Sequence, residues 1–204
     1  TDGALGMAMG HVILKEFYVD RQVPRFVDYV KKYSDLPFLV SVKEKDGAYV
    51  PDKFLTAADL GDEMEGAAFK TVLVDAATGR AAVPNGSLGF RYAESGKGKW
   101  NLDLEGIDPA LSLLGAGGSH TVELLLPRFD VGQQDSEGGA VHRRGVPVVP
   151  IETTCGQRLV TTVFDLMLAQ YGVARDGLPG QWPSWYDDPA PYTPSWQEEI
   201  TGVP

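Results

Sequence analysis

The feature that most constrains the fold is a block of short strand-like segments that begins near residue 37. Residues 38–45 alternate apolar and polar side chains, residues 48–55 return, and the pair Asp46-Gly47 between them is typical of a tight turn. The start of the block therefore predicts a β-hairpin.

The block continues with a second hairpin and further strands. The second hairpin is predicted over 69–75 and 80–84, around a turn at Thr78-Gly79. Further strand-like segments lie at 87–93, 99–105, 120–126, 146–153 and 157–162. Residues 127–145 are polar and Gly-rich without any period, which predicts a mobile loop.

Helical patterns flank this block. In the first stretch, Leu5, Met9 and Phe17 recur at helical spacing, Thr1 is a candidate N-cap, and the helix is expected to end near Asp20. Four more helices are predicted from their end signals. They lie at 24–33 with Pro24 in the first turn, at 57–65 after a Thr56/Asp59 capping box, at 160–172 closed by Gly172, and at 195–200 between Thr193-Pro194 and Gly202.

Strong helices at both ends and strands between them predict a mixed α+β chain. We expect an α/β framework with an inserted β-rich subdomain, divided into 1–36 (framework helices), 37–158 (insertion) and 159–204 (helical return to the framework). A capped helix that begins at residue 1, without an initiator Met, favours a segment of a longer protein.

Composition excludes several classes of function. The net charge of −10 argues against a nucleic-acid surface, which needs clustered Lys and Arg. The single cysteine, Cys155, rules out an internal disulfide and an iron–sulfur cluster held within the chain. No run of about 18 apolar residues occurs, so no membrane span is predicted.

The candidate binding residues lie at the start of the first helix. Free backbone N–H groups there, with the Thr1 hydroxyl and the Asp2 carboxylate, suit a nucleotide; Asp2 would accept from a donor such as a guanine edge or a ribose hydroxyl. Gly3, Gly6 and Gly10 form a stripe of small residues. Such a stripe is explained either by a closely approaching backbone or cofactor, or by tight helix packing.

Other candidates favour structural roles. His11, His120 and His142 have no metal-ligand spacing; His11 is expected in the core with a hydrogen bond, and His142 in a solvated loop. Cys155 lies in no nucleophile motif. The glycines of 113–119 match no phosphate-binding loop, and the acidic groups at 62–65 and 187–188 are expected on solvated surfaces.

Several segments nevertheless resemble one family, in the same order. They are the stretch from TDGALGMAMGHVILKEF to DLPFLV, VPNGSLGFR, GKGKWNL, LVTTVFDLMLAQYGV, and YDDPAPYTPSWQEEITGVP. These segments are similar to the α (catalytic) subunit of respiratory nitrate reductases. The opening TDGAL and the YTPSWQEEITGVP motif are shared more widely with the molybdopterin (DMSO-reductase-like) oxidoreductases.

This resemblance implies a catalytic subunit that holds molybdenum between two molybdopterin guanine dinucleotides, together with a 4Fe-4S cluster. Nitrate is reduced to nitrite with electrons from quinol, in a complex with an iron–sulfur β subunit and a membrane quinol-oxidising subunit. That complex lies at the cytoplasmic face of the cell membrane, with this segment in the soluble part. Thr1 and Asp2, with Gly3 and Gly6 beside them, are implied to meet a guanine dinucleotide.

The resemblance also implies that the metal ligands lie outside this chain. We therefore expect no catalytic or metal-ligating residue here, no bound cofactor and no activity of the chain alone. Two alternatives stay open: a non-catalytic structural or subunit-interface module, and a related oxyanion reductase or nitrite oxidoreductase.

Overall fold

The computed structural model describes residues 2–85, 102–130 and 141–204. Helix α1 spans Asp2–Ile13 and continues as a π-helical segment, Leu14–Asp20, so the helical stretch ends where the sequence predicts. The π-helical geometry was not expected. Helix α2 spans Pro24–Tyr33 with Pro24 in its first turn, as predicted.

Five strands form a closed barrel in the order β1-β2-β5-β6-β7. They are β1 (Leu39–Lys45), β2 (Ala48–Phe54), β5 (His120–Pro127), β6 (Val141–Thr153) and β7 (Gly156–Thr162). The first hairpin is confirmed: Asp46 and Gly47 both have positive φ, as a two-residue turn of this kind requires. β2 pairs with β5 in parallel, and β7 closes the barrel by pairing antiparallel with β1.

A smaller sheet lies beside the barrel. Its strands, β3 (Leu73–Asp75) and β4 (Arg80–Ala82), form the second predicted hairpin in shorter form. The Thr56/Asp59 capping box is confirmed, but it opens a 3₁₀ turn over Ala57–Leu60 rather than a helix to residue 65. A second 3₁₀ turn spans Ala67–Phe69.

The prediction of a loop over 127–145 was wrong at both ends. β5 extends to Pro127, and Val141–Gly145 is the start of β6, paired with β5. These residues are polar, yet cross-strand hydrogen bonds and burial of alternate side chains outweigh their low strand propensity. Residues 131–140 of the proposed loop lie outside the described residues.

The strands predicted at 87–93 and 99–105 fall mainly outside the described residues. In the part of the second one that the structure describes, residues 102–105, Asp103 forms an isolated bridge with Asn85 and no strand is formed.

Two helices follow the barrel. Helix α3 (Val163–Tyr171) is capped by the Thr162 hydroxyl and closed by Gly172 at φ 78°. Helix α4 (Pro194–Thr201) is capped by Thr193 and closed by Gly202, as predicted. Because β7 runs to Thr162, the barrel leads directly into α3. The division at residue 158, and the α/β framework around it, stay predictions.

Three apolar clusters hold these parts together. One joins the π-helical segment, α2 and α3 through Leu14, Val30 and Leu168, and one joins barrel strands to α3 through Val146, Leu124 and Ala169. The third packs the barrel on the small sheet, through Leu39, Leu55, Val72, Val74 and Val160. In the part of the chain that the structure describes, no helix has the length and apolar character to cross a membrane.

Candidate functional site

The first turn of α1 is open on the surface of the protein. Asp2, Gly3 and Gly6 are exposed, and a Cβ atom added at Gly3 or Gly6 would meet no other atom within 4 Å. Tight helix packing therefore does not explain these two glycines. Thr1, the predicted cap, lies outside the described residues.

Gly10 behaves differently, although it belongs to the same stripe. A Cβ atom there would lie 2.2 Å from the Tyr171 ring, so only glycine lets α1 approach α3 this closely. The next residue, His11, is 3% exposed and its Nδ1 lies 2.7 Å from the Tyr171 carbonyl oxygen. The prediction that His11 is a hydrogen-bonded core residue is confirmed.

A cleft of about 420 Å³ begins at the open end of α1. It is lined by Gly3, Ala4 and Met7 of α1, Trp196 and Ile200 of α4, and Phe129, Asp130 and Tyr192 from the connecting segments. The lining is mainly apolar and aromatic with one carboxylate, a composition typical of small-molecule sites. Of the predicted site residues, Gly3 lines the cleft.

Tyr192 is the most deeply buried of the aromatic residues that line this cleft. It is 1% exposed, its φ is +80°, and its hydroxyl oxygen accepts a hydrogen bond of 2.9 Å from the backbone N–H of Phe129. The ring packs edge-on against Trp196 and His142, each at a centroid distance of 5.4 Å. A left-handed tyrosine costs on the order of 1–3 kcal/mol and persists only where its surroundings fix it. The aromatic packing supplies that constraint here.

The carboxylate of the cleft is held by a neighbouring arginine. Arg128 donates from Nε to Asp130 Oδ1 at 3.1 Å and also pairs through Nη2. Burial by itself raises the pKa of Asp130, but the hydrogen bonds and charge of Arg128 outweigh it and hold that pKa below its usual value. The cleft therefore presents an ionised, already paired carboxylate at neutral pH.

His142 and Arg144 correct the prediction of a solvated loop. Both are buried on β6, at 5% and 2% exposure. Burial, together with the charges of Arg144 and Arg128, lowers the pKa of His142 to about 4, so the ring is neutral at pH 7. In the described part of the chain its Nε2 has no hydrogen-bond partner.

The sequence predicted a site at the start of α1, but it did not predict that Tyr192 and Trp196 line the cleft beside it. Tyr192 and Trp196 lie in the YTPSW motif quoted for the family resemblance, so that motif could have indicated them. Asp130 and its ion-pair partner Arg128 had no such signal, since Asp130 reaches the cleft only because β5 ends beside Tyr192.

The remaining candidates are separate from this cleft. Cys155 is an exposed thiol in the β6–β7 turn. Asp188 accepts from Ser184 and Ala190 and organises its own loop. Within residues 2–85, 102–130 and 141–204, no group of three or more His, Cys, Asp and Glu side chains could hold a metal ion.

Curated proteins that match the chain are named as alpha subunits or alpha chains of nitrate reductases. It is 56% identical over 209 residues to the nitrate reductase alpha subunit of Mycobacterium tuberculosis (strain CDC 1551 / Oshkosh). It is 41% identical over 209 residues to the nitrate reductase alpha chain of Bacillus subtilis (strain 168), and 40% identical over 219 residues to the respiratory nitrate reductase 1 alpha chain of Escherichia coli (strain K12). All of this chain is covered in each comparison.

The chain is homologous to a segment of nitrate reductase alpha subunits. This confirms the resemblance inferred from the sequence. The chain spans about 16–17% of the length of these curated relatives. No family model matches it.

Proposed function

We propose that the chain is part of the catalytic subunit of a molybdenum-dependent nitrate reductase and forms one edge of a guanine-dinucleotide site. The observation that carries this proposal is the 56% identity, over the whole chain, to a nitrate reductase alpha subunit.

The residues at the start of α1 fit the dinucleotide end of such a cofactor. Gly3 and Gly6 leave the helix surface open, so a planar base or a sugar can approach the backbone there. Asp2 is exposed and carries acceptor oxygens, which suit the N–H donors of a guanine edge or the hydroxyl groups of a ribose. The adjoining apolar cleft offers aromatic surface beside them.

The same residues do not fit the metal end. The described part of the chain has no cluster of three metal-ligating side chains, and its cysteine is single and exposed. Bound molybdenum supplies oxygen-atom transfer from nitrate, and this chain's own residues would bind and orient the distal dinucleotide. The 4Fe-4S cluster, the iron–sulfur β subunit and the membrane quinol-oxidising subunit belong to the rest of the proposed complex, at the cytoplasmic face of the membrane.

The test places variants of this segment in a complete alpha subunit. Asp2→Ala removes the acceptor and Gly6→Val fills the open surface, and we expect each to lower both the guanine-dinucleotide content and nitrate reduction at least about tenfold, the usual cost of a lost buried contact to a ligand. Matched controls are Glu63→Gln and Gly117→Ala, an exposed carboxylate and an open glycine away from the cleft.

The outcomes separate the alternatives. Loss of cofactor in the assembled subunit supports the proposal. Full cofactor content with failed assembly supports a structural or interface module instead. The chain alone is expected to be inactive, and tight cofactor binding by the chain alone would contradict that expectation.

A further inference from the structure

A second polar site is built around Asp165, in the first turn of α3. Asp165 is fully buried and its carboxylate accepts from Ser112 Oγ at 2.7 Å, from the Leu113 N–H at 2.9 Å and from Arg175 Nη1 at 2.6 Å. Arg175 Nη1 also lies 2.9 Å from Ser112 Oγ. These contacts fix the guanidinium group of Arg175 in one position.

The other edge of this guanidinium has no acceptor. The Arg175 side chain is 7% exposed, and its Nε and Nη2 atoms are buried without a hydrogen-bond partner among the residues described. Buried donors in native proteins are almost always satisfied, so an unsatisfied pair on one charged group requires an explanation. The Nε and Nη2 donors of an arginine point in parallel and match the two oxygens of a carboxylate.

Arg175 and Ser112 both line a cleft of about 560 Å³. Leu114 and Tyr18 supply accessible apolar surface to the same cleft, and Lys15 supplies an ammonium group. A few convergent polar groups in an apolar wall are typical of small-ligand sites, and this volume lies in their usual range.

We propose that this cleft binds a small organic carboxylate, whose two oxygens accept from Nε and Nη2 of Arg175 while its apolar part lies against Leu114 and Tyr18. The site is separate from the α1 cleft and does not depend on the function proposed above.

The charges around the cleft set the strength of binding. Arg175 is neutralised by Asp165, Lys15 is paired with Asp20 at 2.7 Å, and Asp176 on the rim is exposed and negative. Long-range attraction for an anion is therefore weak, and the directed donors provide the specificity. We expect millimolar affinity that rises when Asp176 is neutralised.

The test is an NMR titration of the 204-residue chain with sodium acetate and sodium benzoate, against sodium chloride at equal ionic strength. The Nε–H signal of Arg175, assigned by its loss in Arg175→Lys, is expected to shift saturably with both carboxylates and not with chloride. Benzoate is expected to bind at least about fivefold more tightly than acetate, because its ring buries apolar surface. Arg143→Lys, at an exposed ion pair, is the matched control and keeps the shift.

Asp176→Asn provides a test that leaves the buried cluster intact. It is expected to tighten benzoate binding about two- to fivefold, the effect of removing one exposed like charge. The proposal is overturned if no saturable shift occurs in the native chain, if chloride produces the same shift, or if Arg175→Lys binds benzoate as well as the native chain does.

Discussion

Two buried arginines contact opposite ends of α3, and their charges are compensated in different ways. Arg175 faces a buried carboxylate, Asp165, but keeps one edge without an acceptor. Arg144 donates instead to backbone carbonyls, at 2.9 Å to Gln181 and 3.0 Å to Gln170, with a further bond to Ala169.

Two of these carbonyls, those of Ala169 and Gln170, belong to the C-terminal end of α3. That end carries the negative pole of the helix dipole and unpaired carbonyl groups, so it stabilises a cation without any carboxylate. His11 completes the arrangement from α1, with its Nδ1 beside the Tyr171 carbonyl. The helix end is thus satisfied by two side chains that are distant in sequence, whereas one edge of the Arg175 guanidinium is buried without an acceptor among the described residues.

The strongest test of this contrast is Asp165→Asn. The change leaves the Arg175 charge buried without its counter-ion, and we expect a loss of about 3–5 kcal/mol in the free energy of unfolding. Urea unfolding followed by circular dichroism measures it. Asp108→Asn, at an exposed ion pair with Lys31, is the control and should cost less than about 1 kcal/mol.

A companion variant makes this prediction sharper. Because a buried pair can be replaced by uncharged groups at little cost, Asp165→Asn with Arg175→Met is expected to be more stable than Asp165→Asn alone. A double variant that is less stable would show that Arg175 contributes mainly through packing.

The second prediction concerns Arg144→Met. Three carbonyls lose their donor, while the cost of burying the guanidinium is recovered, so we expect a net loss of about 2–3 kcal/mol. Burial lowers the pKa of Arg144 to about 10, so the native group is charged at neutral pH. The neighbouring, exposed Arg143→Met should change stability by less than about 0.5 kcal/mol. Equal effects at both positions would contradict the role given to Arg144.

These buried charges also show where sequence reasoning stops. The hairpin at residues 39–54 and the caps at Thr162 and Thr193 were predictable, because each depends on residues close together in the chain. Arg144 was not, since the carbonyls that compensate it lie 25 to 37 residues later in the chain. A polar stretch whose partners are that distant has the same local pattern as a solvated loop.

In the candidate site, too, the features that depend on neighbouring residues were predictable and those that depend on distant contacts were not. The open helix start at Asp2, Gly3 and Gly6 was visible in the glycine pattern, although that pattern could not separate Gly6 from Gly10. The aromatic and acidic lining of the cleft could not be predicted from the sequence. Tyr192 and Asp130 line the same cleft only because the end of β5 lies beside the segment before α4.

The third prediction uses His142, two residues before Arg144. Its pKa is about 4 in the folded chain and about 6.5 when unfolded, so the unfolded state binds more protons between these values. Its contribution to stability is therefore complete above about pH 6.5 and is lost as the pH falls towards 4, amounting to about 2 kcal/mol at pH 4.5.

His142→Phe should remove this part of the pH dependence, while His120→Asn, at an exposed histidine, should keep it. Urea unfolding at several pH values measures the difference between variants. That difference is the quantity to compare, because the lowered pKa of Asp130 makes the native chain less stable at low pH as well. An unchanged slope in His142→Phe would contradict the assignment.

The smallest predicted effect tests how α1 is held at the end of α3. In Gly10→Ala the new methyl group overlaps the Tyr171 ring, so the helices must separate and the His11 contact must lengthen, at about 1–2 kcal/mol. Gly6→Ala, one turn earlier on the open surface, should instead stabilise the chain by about 0.5–1 kcal/mol through its helix propensity. Thermal unfolding of the two variants measures the sign of the stability change in each. Since the residue types are identical, opposite signs would arise from the neighbouring surface alone, and equal signs would mean that Gly10 is not confined by Tyr171.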